Sequence, residues 1–115
     1  MEMADGASSG RAARVTLHAM KATYVSLFTF TDQGARAIKQ SPQRATAFRQ
    51  QADAAGVKVV SQLWTAGDYD GVLILEGGDE QKVLGLLAQL AAAGNVRTHS
   101  LRAFDAGDFA AIVGT

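Results

Sequence analysis

The sequence contains no cysteine, which excludes disulfide bridges, thiolate catalysis and every cysteine-ligated metal site. A reducing cytoplasm suits such a composition and is the expected location. Histidine occurs only at His18 and His99, too few for a multi-histidine metal centre within one chain, so no metal is expected. Charge of one sign is missing as well. Eleven Lys and Arg residues offset eleven Asp and Glu residues, a net charge of +0. No global field therefore attracts nucleic acid or an anionic membrane. No apolar run approaches the roughly 18 residues of a membrane-spanning helix.

What remains is a chain of 115 residues, 48% of them hydrophobic, long enough for one domain with a modest core. Residues 1–19 stand apart as an expected flexible arm, with the domain over 20–115. Met1–Gly10 is small and polar and lacks the apolar core, about 7–15 residues long, of a secretory signal. A short segment, Val15–Ala19, is the part of the arm that could order against a neighbouring subunit.

The stretch from Trp64 to Glu76, WTAGDYDGVLILE, organises the rest. Apolar residues reach Trp64, break at Thr65-Ala66-Gly67-Asp68 and resume at Tyr69: strand, tight turn, returning strand. Gly67 supplies the positive φ such a turn needs. Upstream, Ala22–Phe30 reads as a strand whose two faces, Tyr24/Ser26/Phe28/Phe30 and Thr23/Val25/Leu27/Thr29, both carry apolar bulk. Thr31 is placed to cap a short helical stretch containing Ala35 and Ile38. Ser41-Pro42 restarts the helix, with Ser41 expected outside αR because it precedes proline. Ala45, Phe48, Ala52 and Ala55 follow at helical spacing, Arg44 and Arg49 point outward, and Gly56 closes the helix. Val57–Thr65 and Tyr69–Glu76 form the hairpin strands. Asp79 caps a second helix over Glu80–Ala93, with Val83, Leu87 and Leu90 in one stripe. Gly85 inside it costs about 1 kcal/mol against alanine, unless it permits close packing on the sheet. Val96–Phe104 is the fourth strand, and Asp105–Val113 adds a last turn or two of helix.

This β-α-β-β-α-β order predicts an α+β, ferredoxin-like fold. Its four-stranded antiparallel sheet has the order 4-1-3-2, with two helices on one face. The other face then lies open although its strands are apolar on both sides, Val60 and Trp64 opposing Val57, Val59 and Leu63. Pairing with a second copy is the simplest cover for it, so at least a homodimer is expected. A charged residue at Phe28 is expected to dissociate or unfold such a protein.

The residues resemble the GYD family of the dimeric α+β barrel superfamily. Gly67, Tyr69 and Asp70 match the motif that names the family. Thr23–Phe28, Phe30–Gly34, Ser41-Pro42, Trp64-Thr65, Gly94–Thr98 and Leu101–Phe104 match further along. The resemblance implies the fold and a sheet-to-sheet dimer, and no settled activity.

Candidate site residues are Tyr24, Trp64, Tyr69, Asp70 and His99. Asp70 could accept from a ligand, although holding the hairpin is the favoured role. His99 could serve as a general base, although a structural partner is commoner. Trp64, Tyr24 and Phe28 could line a pocket for a planar ligand, although core packing explains them equally well. Side-chain parity is fixed within each strand but not between strands, so one shared cavity does not follow. Arg97 and Arg102 lie on opposite faces and form no joint anion clamp. Gly77-Gly78 lacks the spacing and lysine of a phosphate loop, so no nucleotide or other cofactor is expected. Arg36, Lys39, Arg44 and Arg49 read as a solvated helix face.

Two functions compete. The first is a non-enzymatic oligomer binding a small molecule or protein partner. The effector-binding domains of Lrp/AsnC regulators share the fold and look similar around this hairpin. The second is an enzyme like the cofactor-independent monooxygenases or isomerases on the same barrel. That reading needs Trp64, Asp70, His99 and Tyr24 to form one polar set inside an apolar pocket.

Overall fold

The computed structural model describes residues 21–114, so the arm expected over 1–19 lies outside the described residues. Four strands, β1 (Ala22–Phe30), β2 (Val57–Trp64), β3 (Gly71–Gly77) and β4 (Val96–Ala103), form one sheet in the order β2-β3-β1-β4. This is the expected 4-1-3-2 order, with every neighbour antiparallel. The helices are α1 (Asp32–Arg36), α2 (Ser41–Ala54), α3 (Glu80–Ala92) and α4 (Ala106–Val113), with a 3-10 turn at Ile38–Gln40. The fold is the expected ferredoxin-like α+β arrangement.

Local chemistry sets the boundaries. Thr31 Oγ1 accepts the Gly34 N–H at 3.1 Å and donates to Gly94 O at 2.6 Å, so one hydroxyl caps α1 and ties it to the end of α3. Asp79 caps α3 through the Gln81 N–H. Asp105 and Asp108 form a capping box on α4. Gly56 and Gly94 close α2 and α3 at φ 76° and 83°, where a Cβ is disfavoured. At Gly34 the reason is proximity, because a Cβ would sit 2.0 Å from Asn95 O.

The core lies between the sheet and helices α2 and α3, which cover the same face. Ala22, Tyr24 and Phe28 of β1, Val57 of β2, and Leu73 and Leu75 of β3 meet Phe48 and Ala52 of α2 and Val83, Leu86 and Leu87 of α3. Each large side chain fully buried there contributes about 1.5–3 kcal/mol. Helix α4 buries none of its residues, and Phe109, Ile112 and Val113 remain exposed.

Four local expectations change. Ser41 is itself αR (φ −56°, ψ −43°) and opens α2, because the 3-10 turn winds directly into the helix. Pro42 is tolerated there since its missing N–H is one of the unpaired groups of a helix start. β3 begins at Gly71, two residues later than expected. Tyr69 and Asp70 instead belong to the loop, tied back to Thr65. A Cβ at Gly85 would meet nothing within 4 Å, so this glycine serves no close packing. Parity also breaks in β2. Val59 pairs with Leu75 and Ser61 with Ile74, which leaves Val60 as a bulge. Beyond it the side chains exchange faces, so Leu63 joins the open side and Trp64 the helix side.

Candidate functional site

The Thr65–Asp70 loop is held from both ends. The Thr65 N–H donates to Asp70 O at 2.9 Å, and Thr65 Oγ1 donates to Tyr69 O at 2.6 Å. Gly67 turns the chain at φ 137°. Asp70 then fastens the loop to β1 twice. Its N–H donates to Phe28 O at 2.8 Å, and its Oδ2 accepts the Phe30 N–H at 2.8 Å. Gly71 follows under the Phe28 ring, where a Cβ would lie 2.1 Å from a ring carbon. The motif thus welds the hairpin to the central strand. Asp70 takes the holding role at this end of the sheet.

On the open face, β1 presents Thr23, Val25, Leu27 and Thr29, and β3 presents Val72 and Ile74. Leu63 from β2 and Leu101 from β4 flank them, 56% and 57% exposed. Helices α2 and α3 both pack on the opposite face. Tyr69 and His99 meet at its hairpin end, ring centroids 5.8 Å apart and edge to face. His99 pairs with Leu27, so it lies on the open side.

Tyr24 and Trp64 lie on the helix side instead. The Tyr24 hydroxyl donates to Glu80 at the start of α3. That hydrogen bond first, and burial second, raise the phenol pKa above its ordinary value. The Arg102 guanidinium lies over both Tyr24 and Phe104, 5.8 and 4.8 Å from their centroids. It also donates to Ala103 O and Lys21 O, so Arg102 acts as a staple. Ser26, two residues after Tyr24 on the same side of β1 and fully buried, shares a 2.7 Å hydroxyl hydrogen bond with Ser100.

Trp64 borders a cleft of about 240 Å³ between α2, α3 and the sheet. Its indole N–H donates to Ser41 Oγ at 3.0 Å. Phe28, Phe48 and Leu90 supply apolar wall. Arg44 also lines the cleft, contrary to the outward orientation expected for it. Its Nη1 donates to Ala37 O at 2.9 Å, and its Nη2 is buried without a hydrogen-bond partner among the described residues. The Ala37 carbonyl lies at the break between α1 and α2, where it accepts both the Gln40 N–H at 3.0 Å and this guanidinium. The signal in the sequence was position, since Arg44 stands one turn before Phe48 on the edge of the apolar stripe.

The five candidate residues therefore do not share one cavity. Tyr69 and His99 meet on the open face, Trp64 lines the helix-side cleft, Tyr24 is bonded to α3, and Asp70 fastens the hairpin. The polar set of Trp64, Asp70, His99 and Tyr24 that the enzyme reading requires is not gathered in one place. Among the described residues no cluster of His, Asp or Glu is arranged to hold a metal ion. No helix among them is long and apolar enough to cross a membrane.

Comparison with known proteins adds to this geometry. The sequence model of the GYD domain matches residues 24–113. A Thermus thermophilus protein named glutamine synthetase and cystathionine beta-lyase binding protein is 34% identical over 90 residues, spanning 77% of this chain and 95% of that protein. Among solved structures, the leucine response regulatory protein LrpA of Mycobacterium tuberculosis superposes with a TM-score of 0.52 at 20% identity. That likeness covers 80% of this chain and 55% of LrpA, and it concerns the fold alone.

Proposed function

The chain belongs to the GYD domain family, and from that premise we propose that it is a non-enzymatic, homo-oligomeric binding protein whose partners are other proteins. The observation that carries this reading is apolar surface left uncovered in two places. One is the open sheet face built on Val25, Leu27, Val72 and Ile74. The other is α4, with Phe109, Ile112 and Val113 exposed. Burying a few hundred Å² of such surface contributes several kcal/mol at about 25 cal/mol per Å². In this reading the sheet face pairs with a second copy, and Tyr69 and His99 lie at the margin of that interface. Helix α4 then remains to receive a partner protein, as amphipathic helices do in a groove.

The relative named for binding glutamine synthetase and cystathionine beta-lyase supports protein partners of that kind. A net charge of +0 supports neither nucleic acid nor an anionic membrane as a partner. The absence of cysteine suits work in the cytoplasm.

The test has two arms. Light scattering at micromolar concentration is expected to give a dimer or larger; a compact monomer overturns the oligomer. Biolayer interferometry against glutamine synthetase and cystathionine beta-lyase of the same organism is expected to show saturable binding to at least one. Phe109→Asp in α4 is expected to weaken that binding without changing the oligomer. Binding to neither enzyme overturns the partner reading.

A further inference from the structure

We propose that the cleft between α2, α3 and the sheet is a binding site for a small monocarboxylate with a compact apolar body. Arg44 holds the carboxylate, and Trp64, Phe28 and Phe48 hold the body. This goes beyond protein binding and does not depend on it.

The charge in the cleft argues first. Arg44 is permanently cationic. One arm of its fork is fixed on Ala37 O, while Nη2 is buried and unpaired among the described residues. None of the residues lining the cleft is acidic. A buried donor on a charged group is costly to leave unpaired, and a planar carboxylate is the acceptor that matches guanidinium geometry. Ser41 also lines the cleft and opens α2, so the positive end of that helix dipole adds to the same field.

The number of charges then narrows the ligand. With one cation in the cleft, a single negative charge is balanced, whereas a doubly charged phosphate is not. Size narrows it further. At about 240 Å³ the space falls below the roughly 300–1,000 Å³ of sites for drug-sized molecules. Phe28 and Phe48, each 6% exposed, form a fixed apolar floor, and Trp64 at 46% exposed stands at the rim. A single ring or short branched chain bearing one carboxylate suits this shape.

Trp64 is the only tryptophan in the chain, so its fluorescence reads the site directly. Phenylacetate is expected to change that fluorescence saturably. The neutral isostere phenylacetamide should bind at least ten-fold more weakly. Arg44→Gln should weaken phenylacetate on the order of ten- to a hundred-fold, the range for losing a charge-assisted hydrogen bond. Lys39→Gln removes the same charge outside the cleft and should leave binding unchanged. Ala45→Leu keeps the guanidinium but fills the space, and should abolish binding even if Arg44→Gln fails to fold. Three results would overturn the proposal: no saturable response, equal binding of acid and amide, or undiminished binding by the Ala45→Leu chain.

Discussion

The Asp70 carboxylate accepts the Phe30 N–H at 2.8 Å, across 40 residues of sequence. It takes up a backbone donor near the end of β1, just where β3 gives way to the loop. Replacing Asp70 with Ala strands that donor. The expected loss is about 1–3 kcal/mol in chemical denaturation. Asn keeps an acceptor oxygen and should retain part of the stability. Equal stability of the Ala variant and the parent chain would show that the bond contributes nothing.

Gly85 makes the opposite case. It lies exposed in the middle of α3 with open space around its missing Cβ. Gly85→Ala is expected to raise stability by about 0.5–1 kcal/mol, through helix propensity and the unfolded state. A thermal melt that moves down instead would reveal a contact at that position.

Tyr24 ties stability to alkaline pH. Its native pKa is raised, first by the hydrogen bond to Glu80 and then by burial, so folding favours the neutral phenol. That contribution is fully present below the unfolded value of about 10. It is lost as pH rises through the raised native value. Urea unfolding of the parent and of Tyr24→Phe, compared from pH 8 upward, should show a steeper alkaline loss in the parent. Parallel curves would remove Tyr24 from the account.

Leu27 and Phe28 are neighbours in sequence with opposite surroundings. Phe28 is buried under the helices, 6% exposed, whereas Leu27 pairs with Val72 on the open face. A charge at Phe28 therefore tests the core and is expected to unfold the chain. Leu27→Glu is expected to leave the fold intact by circular dichroism and to shift the oligomer toward monomer by light scattering. A folded Phe28→Glu protein would contradict the placement of β1.

Much of this fold was legible because its signals are local. Thr31 and Asp79 cap helices by side-chain chemistry readable over three residues. Gly56, Gly67 and Gly94 sit where the chain needs positive φ. Strand order followed from one hairpin and the handedness of two crossovers. The site was less legible because its determinants are not local. Arg44 turns inward toward the Ala37 carbonyl, seven residues back across the break between α1 and α2, where that oxygen also accepts the Gln40 N–H. Trp64 and Leu63 changed places because period-two counting assumes an unbroken ladder, and no residue type announces the bulge at Val60. Tyr69 read as a strand residue because aromatic character does not distinguish a strand from the loop that feeds it.

The bulge at Val60 makes the hairpin, rather than the start of β2, the determinant of which surface the end of that strand serves. One residue fewer between Val59 and Ser61 would close the bulge into a regular ladder, with Val59 still opposite Leu75 and Ser61 opposite Ile74. Trp64 would stay at the cleft and Leu63 on the open face. Relatives with and without the extra residue would then present the same faces near the hairpin, although counting from Val57 assigns them opposite ones. Equivalent positions in β2 are therefore counted backward from the hairpin, and a deletion at Val60 is a smaller event than its place inside a strand suggests.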